Sequence, residues 1–471
     1  MLLGSVSIGS IEEWEAPPGS AVSWRASPAS CAKAAEAPVS DVPVSYMQAQ
    51  HLRGFVDQRA KGLDYSRLVI VTCDIPGQCD IRAMTYVVNA HVRRHDTFRS
   101  WFEYHDVHNI VRHTMPNPAD IKFVPTRHGD LTSEELRQLT LSTPDPLHWD
   151  CFTYGIVQYP DRFTIYVSID HLHMDATFAG VTLMEFHAMY TTLVSGGAPL
   201  ALPEAGSYDA FCMRQKELLG SLTPDSPEVK AWADFATSNN GSLPDFPLPL
   251  GDPLEPCGAE MWVETLMDEE QTANFESACV AAGARFIGGM LACTGMAEHE
   301  LTGADTYYGL TPSDTRKTTA DLMTMGWFTG LVPITVPIAG RSFAESAVAA
   351  QKSFDAGHQL VDVPFYRVLE LRPELDWPRP NFQVINFLDA GAAPLSVLLT
   401  TELESMRIGM FSDGVYSYQM TVFLVRLKDR TAVSVVYPNN PEAQESVGRY
   451  VKVLKSTCAR VLENLSAGSR R

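Results

Sequence analysis

The chain has 471 residues, and 36 Lys and Arg against 56 Asp and Glu give a formal net charge of −20. With 45% hydrophobic, 20% charged and 10% aromatic residues it can bury a large core, which excludes a disordered or fibrous protein. An acidic surface without a long Lys/Arg run repels a phosphate backbone, so nucleic acid is excluded as a partner and a membrane is limited to peripheral contact.

The opening segment, MLLGSVSIGSIEEW, has no positive n-region and meets Glu12 and Glu13 before any long apolar run, so no signal peptide is read there. Nine cysteines scattered from Cys31 to Cys458, with no Cys-x-x-Cys pair, suit reduced thiols in a cytoplasm; Cys73 and Cys79, the nearest pair in sequence, are expected to stay unbridged. Arg162 to Asp170, RFTIYVSID, alternates Phe163, Ile165, Val167 and Ile169 with polar or small neighbours, which predicts a half-buried strand. Thr177 to Val194 has helical spacing and ends at Ser195-Gly196-Gly197.

Asn239 to Gly258 contains five prolines and three glycines and reads as a linker between a unit at 1–238 and a second at 259–471. Beyond it, Asp268-Glu269-Glu270-Gln271 has capping-box spacing and starts a helix toward Gly283. Val280 to Ala297, with Arg285 and four glycines, reads as a buried core helix and not a membrane span. Val332–Ile338, Phe382–Leu388 and Met420–Arg426 read as strands. Strands and helices mixed in both halves predict an α/β or α+β class.

The chemistry concentrates in Asp170-His171-Leu172-His173-Met174-Asp175-Ala176, between the predicted strand and helix. Three readings stand. Strand parity carries His171 inward from Ile169, where a neutral imidazole can take a proton from a hydroxyl attacking a carbonyl. In the second reading Asp175 caps the following helix and both histidines are ordinary polar residues at a strand end. The third takes His171, His173 and Asp175 as alternate ligands of a metal-dependent hydrolase, although Ala176 stands where a further histidine belongs. No Gly-x-Ser-x-Gly elbow and no phosphate-binding Gly-x-x-x-x-Gly-Lys is present.

The His171-x-x-x-Asp175 spacing resembles the active-site motif of acyltransferases related to chloramphenicol acetyltransferase and to peptide-synthetase condensation domains. Further matches follow in that family's order: Ser45-Tyr46-Met47-Gln48-Ala49-Gln50, Arg94-His95-Asp96-Thr97-Phe98-Arg99, Tyr208-Asp209-Ala210-Phe211, Gly326-Trp327-Phe328, Asp362-Val363-Pro364-Phe365 and Pro380-Asn381-Phe382. Within the family the chain is most similar to the mycobacterial polyketide-synthase-associated acyltransferases, especially those that acylate trehalose in diacyltrehalose-type glycolipid biosynthesis. Asp170 stands where many relatives have a first histidine, Ala176 where they have glycine, and Ser412-Asp413-Gly414 is the nearest trace of a late Asp-Phe-Gly-Trp-Gly segment.

The resemblance implies an α/β fold of two chloramphenicol-acetyltransferase-like subdomains with an active-site channel between them. It implies His171 as general base, with Asp175, the other motif residue, turned from substrate and paired with Arg316 as its structural partner. It also implies an O-acyltransferase that moves a long-chain acyl group from acyl-CoA or a polyketide synthase carrier to a hydroxyl of trehalose or acyl-trehalose. No cofactor and no metal is expected, the thioester being a donor substrate. A long acyl chain in an apolar tunnel supplies on the order of 10 kcal/mol before entropy costs. The expected setting is a cytoplasmic monomer, reaching at most the inner face of the plasma membrane and touching a polyketide synthase. A non-catalytic condensation-like docking domain is the alternative beside the metal-dependent hydrolase. Trp101, Trp149 and Trp327 are expected in the core more than on a sugar face.

Overall fold

The computed structural model describes residues 2–3, 6–253, 255, 257–379, 382–389, 406–414, 420–427 and 429–468. Two compact units result, and neither is one continuous stretch. The first holds residues up to 218 together with 316–328 and 406–414; the second holds 219–315, 329–389 and the described residues from 420 onward. The Pro-rich segment does not fall between them. It lies wholly in the second unit, where Phe246 and Leu250 join the core and Asp245 pairs with Phe382. Its prolines prevent regular structure, but its apolar residues still gain by leaving water.

In the first unit an eight-stranded sheet runs in the order Leu2–Leu3, Val6–Ser10, Gly409–Ser412, Leu68–Pro76, Arg162–Asp170, Phe152–Gln158, Gly19–Ala26, Phe123–Leu131. All neighbours are antiparallel except Gly409–Ser412 beside Val6–Ser10. Arg162–Asp170 is thus central, and it is buried on both faces where a half-buried strand was expected. Phe163, Ile165, Val167 and Ile169 enter the main core, with Val87, Val88, Phe178 and Phe186 from the helices Ile81–Arg94 and Phe178–Val194. Tyr166 faces the other way, into a second cluster with Ile11, Trp14, Leu136 and Phe411. Residues distant in sequence cover the face that alternation alone would leave in water.

In the second unit a four-stranded sheet has the order Ala259–Asp268, Arg430–Pro438, Thr421–Arg426, Val384–Asp389, the last pair parallel. A hairpin of Thr306–Asp314 and Thr329–Pro337 accompanies it. These strands match three of the predicted ones to within a few residues, except that Pro380 and Asn381 of the late motif lie outside the described residues. The Asp268 capping box forms as predicted, starting the helix Glu269–Ala282. The predicted helix across Val280–Ala297 does not form as one piece. Gly283 takes φ 83°, the left-handed conformation that closes a helix, and a second helix, Phe286–Thr302, starts after it at 97° to the first. Among the described residues no single helix is long and apolar enough to cross a membrane, though this bent pair passes by length and composition. All nine cysteines are free.

Candidate active site

The seven-residue segment follows the central strand directly. Register pairs Asp170 with Leu68, and two backbone bonds pin the strand end: Asp170 N–H to Cys151 O at 2.9 Å and His171 N–H to Arg67 O at 2.9 Å. Alternation stops there, because His171–His173 forms a single 3₁₀ turn capped by the Asp170 carboxylate on Leu172 N–H at 3.1 Å. Gln48 then donates from Nε2 to Leu172 O at 2.9 Å. The Ser45-x-x-Gln48 match is therefore a capping box on the helix Tyr46–Ala60 whose glutamine also holds the turn.

His171 is partly exposed, but its Nδ1 is sealed from solvent without a hydrogen-bond partner. Enclosure of the ring lowers its pKa to about 4, with His51 adding to the effect, while Asp170 and Asp175 oppose it. At neutral pH the imidazole is uncharged, the form a base requires. Trp327 lies with its ring centroid 4.0 Å from that of His171. Of the three tryptophans singled out by sequence, Trp327 alone touches His171. Trp149 is a core residue that donates to Phe98 O at 2.8 Å, and Trp101 stacks on His113 and donates to Ala34 O.

Asp175 and Arg316 meet as the resemblance implies. Arg316 Nη1 donates to Asp175 Oδ2 at 2.7 Å and Nη2 to Oδ1 at 3.2 Å, with both side chains at or below 4% exposure. Asp175 also accepts from Thr177 N–H at 3.0 Å, Thr177 Oγ1 at 2.8 Å and Phe328 N–H at 2.9 Å. These donors use the lone-pair capacity of a carboxylate, so Asp175 shapes the turn and has nothing left for a ligand. Arg316 in turn donates to Asp321 O and Thr324 O and lies over the Phe328 ring at 4.3 Å.

The metal reading fails on this geometry. His173 is buried, bonded through Nδ1 to Thr97 Oγ1 at 2.9 Å and packed between Phe98 and Phe152, while Asp175 belongs to Arg316. Burial lowers the His173 pKa to about 4. Among the described residues, the group of potential ligand side chains that does converge is His91, His95 and Glu185. Its carboxylate already holds Arg94 Nε at 2.7 Å as well as His91 at 2.8 Å and His95 at 3.1 Å.

That cluster explains the Arg94-His95-Asp96-Thr97 match, since its residues tie several distant segments together. Arg94 and His95 hold Glu185 of the helix after the motif, and His95 Nδ1 accepts from Met325 N–H at 3.4 Å. Asp96 accepts from Ser207 Oγ and Tyr208 N–H, and Thr97 holds His173. Tyr208 donates to Ser45 Oγ at 2.9 Å and packs on Gly326, where a Cβ would come within 2.3 Å of its ring.

Two site residues, His51 and Arg67, carried no sequence signal, and a third, Asp413, carried only a faint one. His51 Nε2 donates to Asp170 Oδ1 at 2.8 Å, and Arg67 Nη1 to Asp170 Oδ2 at 3.2 Å. Burial alone would raise the Asp170 pKa, yet His51, Arg67 and the Leu172 N–H together bring it below the ordinary carboxylate value. Asp413, in the faint Ser-Asp-Gly trace, accepts from Ser66 Oγ at 2.7 Å, Arg67 N–H at 2.8 Å and Leu68 N–H at 2.9 Å. It thereby fixes the strand start whose Arg67 carbonyl holds His171.

A condensation-domain family model matches residues 42–468. The chain is 60% identical over 462 residues, 98% of each chain, to the Mycobacterium tuberculosis protein named acyltransferase PapA3. It is 56% identical to the 2'-acyl-2-O-sulfo-trehalose (hydroxy)phthioceranyltransferase PapA1 of Mycobacterium bovis, covering 98% of this chain and 90% of that one. A solved PapA2 acyl transferase superposes with TM-score 0.93 at 50% identity, over 97% and 99% of the two chains. The condensation domain of the Monacolin K polyketide synthase MokA, at 16% identity and TM-score 0.64 over 88% and 97%, shares the fold. The chain belongs to the condensation-domain family, within it to the PapA acyltransferases, and is an acyltransferase.

Proposed function

We propose that this acyltransferase moves a long-chain acyl group from a thioester, acyl-CoA or a carrier-bound chain, to a hydroxyl of trehalose or a trehalose derivative, with His171 as general base. The observation that carries the chemistry is the state of His171: neutral, sealed at Nδ1 and partly open, so that Nε2 is the atom left to take a proton. The acceptor hydroxyl gives its proton to Nε2 as its oxygen adds to the thioester carbonyl. The tetrahedral adduct then collapses, the C–S bond breaks and the proton leaves with the thiol. No covalent acyl-enzyme and no cofactor enters this scheme. The acceptor class rests on relatives, since PapA2 proteins at 51% identity are named trehalose-2-sulfate acyltransferases.

The test is thiol release from palmitoyl-CoA with trehalose, with trehalose-2-sulfate and without sugar, followed by mass spectrometry of the lipid and with His171→Ala in parallel. Sugar-dependent release giving an acylated disaccharide, lost in the variant, is expected. Release that survives His171→Ala refutes the base, and acylation of neither sugar refutes the acceptor.

A further inference from the structure

Asp170 ends the central strand, and a histidine from another element faces it. Asp170 is fully buried next to the base in sequence, and His51, reaching it from the helix Tyr46–Ala60, is 4% exposed. Because Asp170 is ionised and so only accepts, His51 must carry its hydrogen on Nε2. The His51 ring centroid lies 6.1 Å from that of His171 and 5.6 Å, edge-on, from Trp327; Tyr65 closes the other side at 5.2 Å.

We propose that His51 is a positioning residue of the transfer: paired with Asp170 and packed on Trp327, it balances the buried carboxylate and keeps His171 free to accept a proton. This inference rests on His171 being the base. The charged and titratable groups around the pair are Asp170, Arg67, Tyr65, Cys151, His171 and His173, with Asp175 beyond His171 and already neutralised by Arg316. Arg67 approaches the far oxygen of Asp170, Oδ2, and also donates to Thr143 O and Pro144 O, whereas His51 is the side chain on Oδ1. Without His51, a buried negative charge beside His171 is only half answered, and His171 takes up a proton at higher pH. The influence of His51 on His171 has this sign, and that of Asp170 the opposite one.

The test is a titration of ring signals by ¹³C-histidine NMR in the full chain, with His171 assigned from His171→Ala. It is run on wild type, His51→Gln and His51→Lys beside the pH profile of kcat/KM. Wild-type His171 stays neutral above pH 5. In His51→Gln its midpoint rises by roughly one to two pH units and the acid limb of kcat/KM moves with it. His51→Lys, which returns a hydrogen-bond donor to Asp170, restores the wild-type profile. His171 titrating identically in wild type and His51→Gln overturns the proposal. So does a wild-type ¹⁵N spectrum placing the hydrogen of His51 on Nδ1 alone, a result that needs no variant to fold. Because the NMR reading is independent of turnover, a failure of His171 as base shows separately, as activity retained in His171→Ala.

Discussion

Arg316→Met tests whether Asp175 is structural or touches substrate. The methionine fills similar volume but leaves the buried carboxylate with Thr177 and Phe328 N–H as donors and no cation. Breaking a buried, hydrogen-bonded pair costs about 3–5 kcal/mol, a large share of the ~5–15 kcal/mol that stabilises a domain. Two further donations, to Asp321 O and Thr324 O, are lost with it, so the upper part of that range is expected. Urea unfolding followed by tryptophan fluorescence measures the loss, and thiol release on the same samples measures activity. If Asp175 only shapes the turn, Arg316→Met/Asp175→Asn, which removes both charges, is at least 1 kcal/mol more stable than the sum of the single losses predicts, and activity recovers with stability. Unchanged stability in Arg316→Met or Asp175→Asn with a hundredfold fall in kcat/KM would refute the reasoning and place Asp175 on the substrate.

His171→Ala keeps the unfolding midpoint within a few degrees and lowers kcat/KM by about 10²–10⁴, as thiol release reads. Since the His171 pKa lies at about 4, wild-type kcat/KM stays level as pH falls from 7 to 5 and declines only toward pH 4; a decline centred at 6.5 contradicts it. Gly326→Ala forces φ of 152° on a side-chain-bearing residue and drives its Cβ into the fully buried Tyr208 ring, so unfolding shows a loss of about 1–3 kcal/mol together with reduced activity. In the second unit, burial raises the Glu298 pKa to about 8, with Gln383 opposing it. The folded chain holds this proton more tightly than the unfolded one, so the contribution is full below about pH 4.5 and is lost as pH rises through 8. Glu298→Gln is therefore more stable than wild type at pH 8, by about 1–3 kcal/mol once water near the part-exposed residue is allowed for, with the difference vanishing at pH 4.

What could be read from sequence was what neighbouring residues decide. The capping box at Asp268 and the turn between strand and helix are set by side chains within four positions of the backbone they serve, and both form. The pairing of Asp175 with Arg316 was legible only through family resemblance, because 141 positions separate two residues that no periodicity links. Burial of Tyr166 escaped for a related reason: Ile11, Trp14 and Phe411 cover its face, and they come from both ends of the chain. The expected continuous helix over 280–297 broke at Gly283, a choice one residue makes and a hydropathy window averages away. His51 and Arg67 carry no local signal because a lone histidine in a helix and an arginine before a strand are each ordinary, and Asp413 shows only as a faint motif trace. Their meaning comes from meeting at Asp170 and at the backbone of Arg67.

The members of the seven-residue segment are committed to different partners, and those commitments leave no ligand set for the metal reading. Asp170 is committed to His51, Arg67 and Leu172; His173 to Thr97 and two phenylalanines; Asp175 to Thr177, Phe328 and Arg316. Each is buried, and each has its polar capacity met from a different element, so the turn cannot drift without breaking several bonds at once. His171 is the exception in the series, sealed at one nitrogen, partly open and uncharged at neutral pH. A base works when it alone has unspent proton affinity and its surroundings are already fixed before substrate arrives. The structural price of that state is carried by Asp413 and Arg67 beneath the strand end and by Gln48 above the turn, which is why loosening any of the three should lower kcat before it alters substrate affinity.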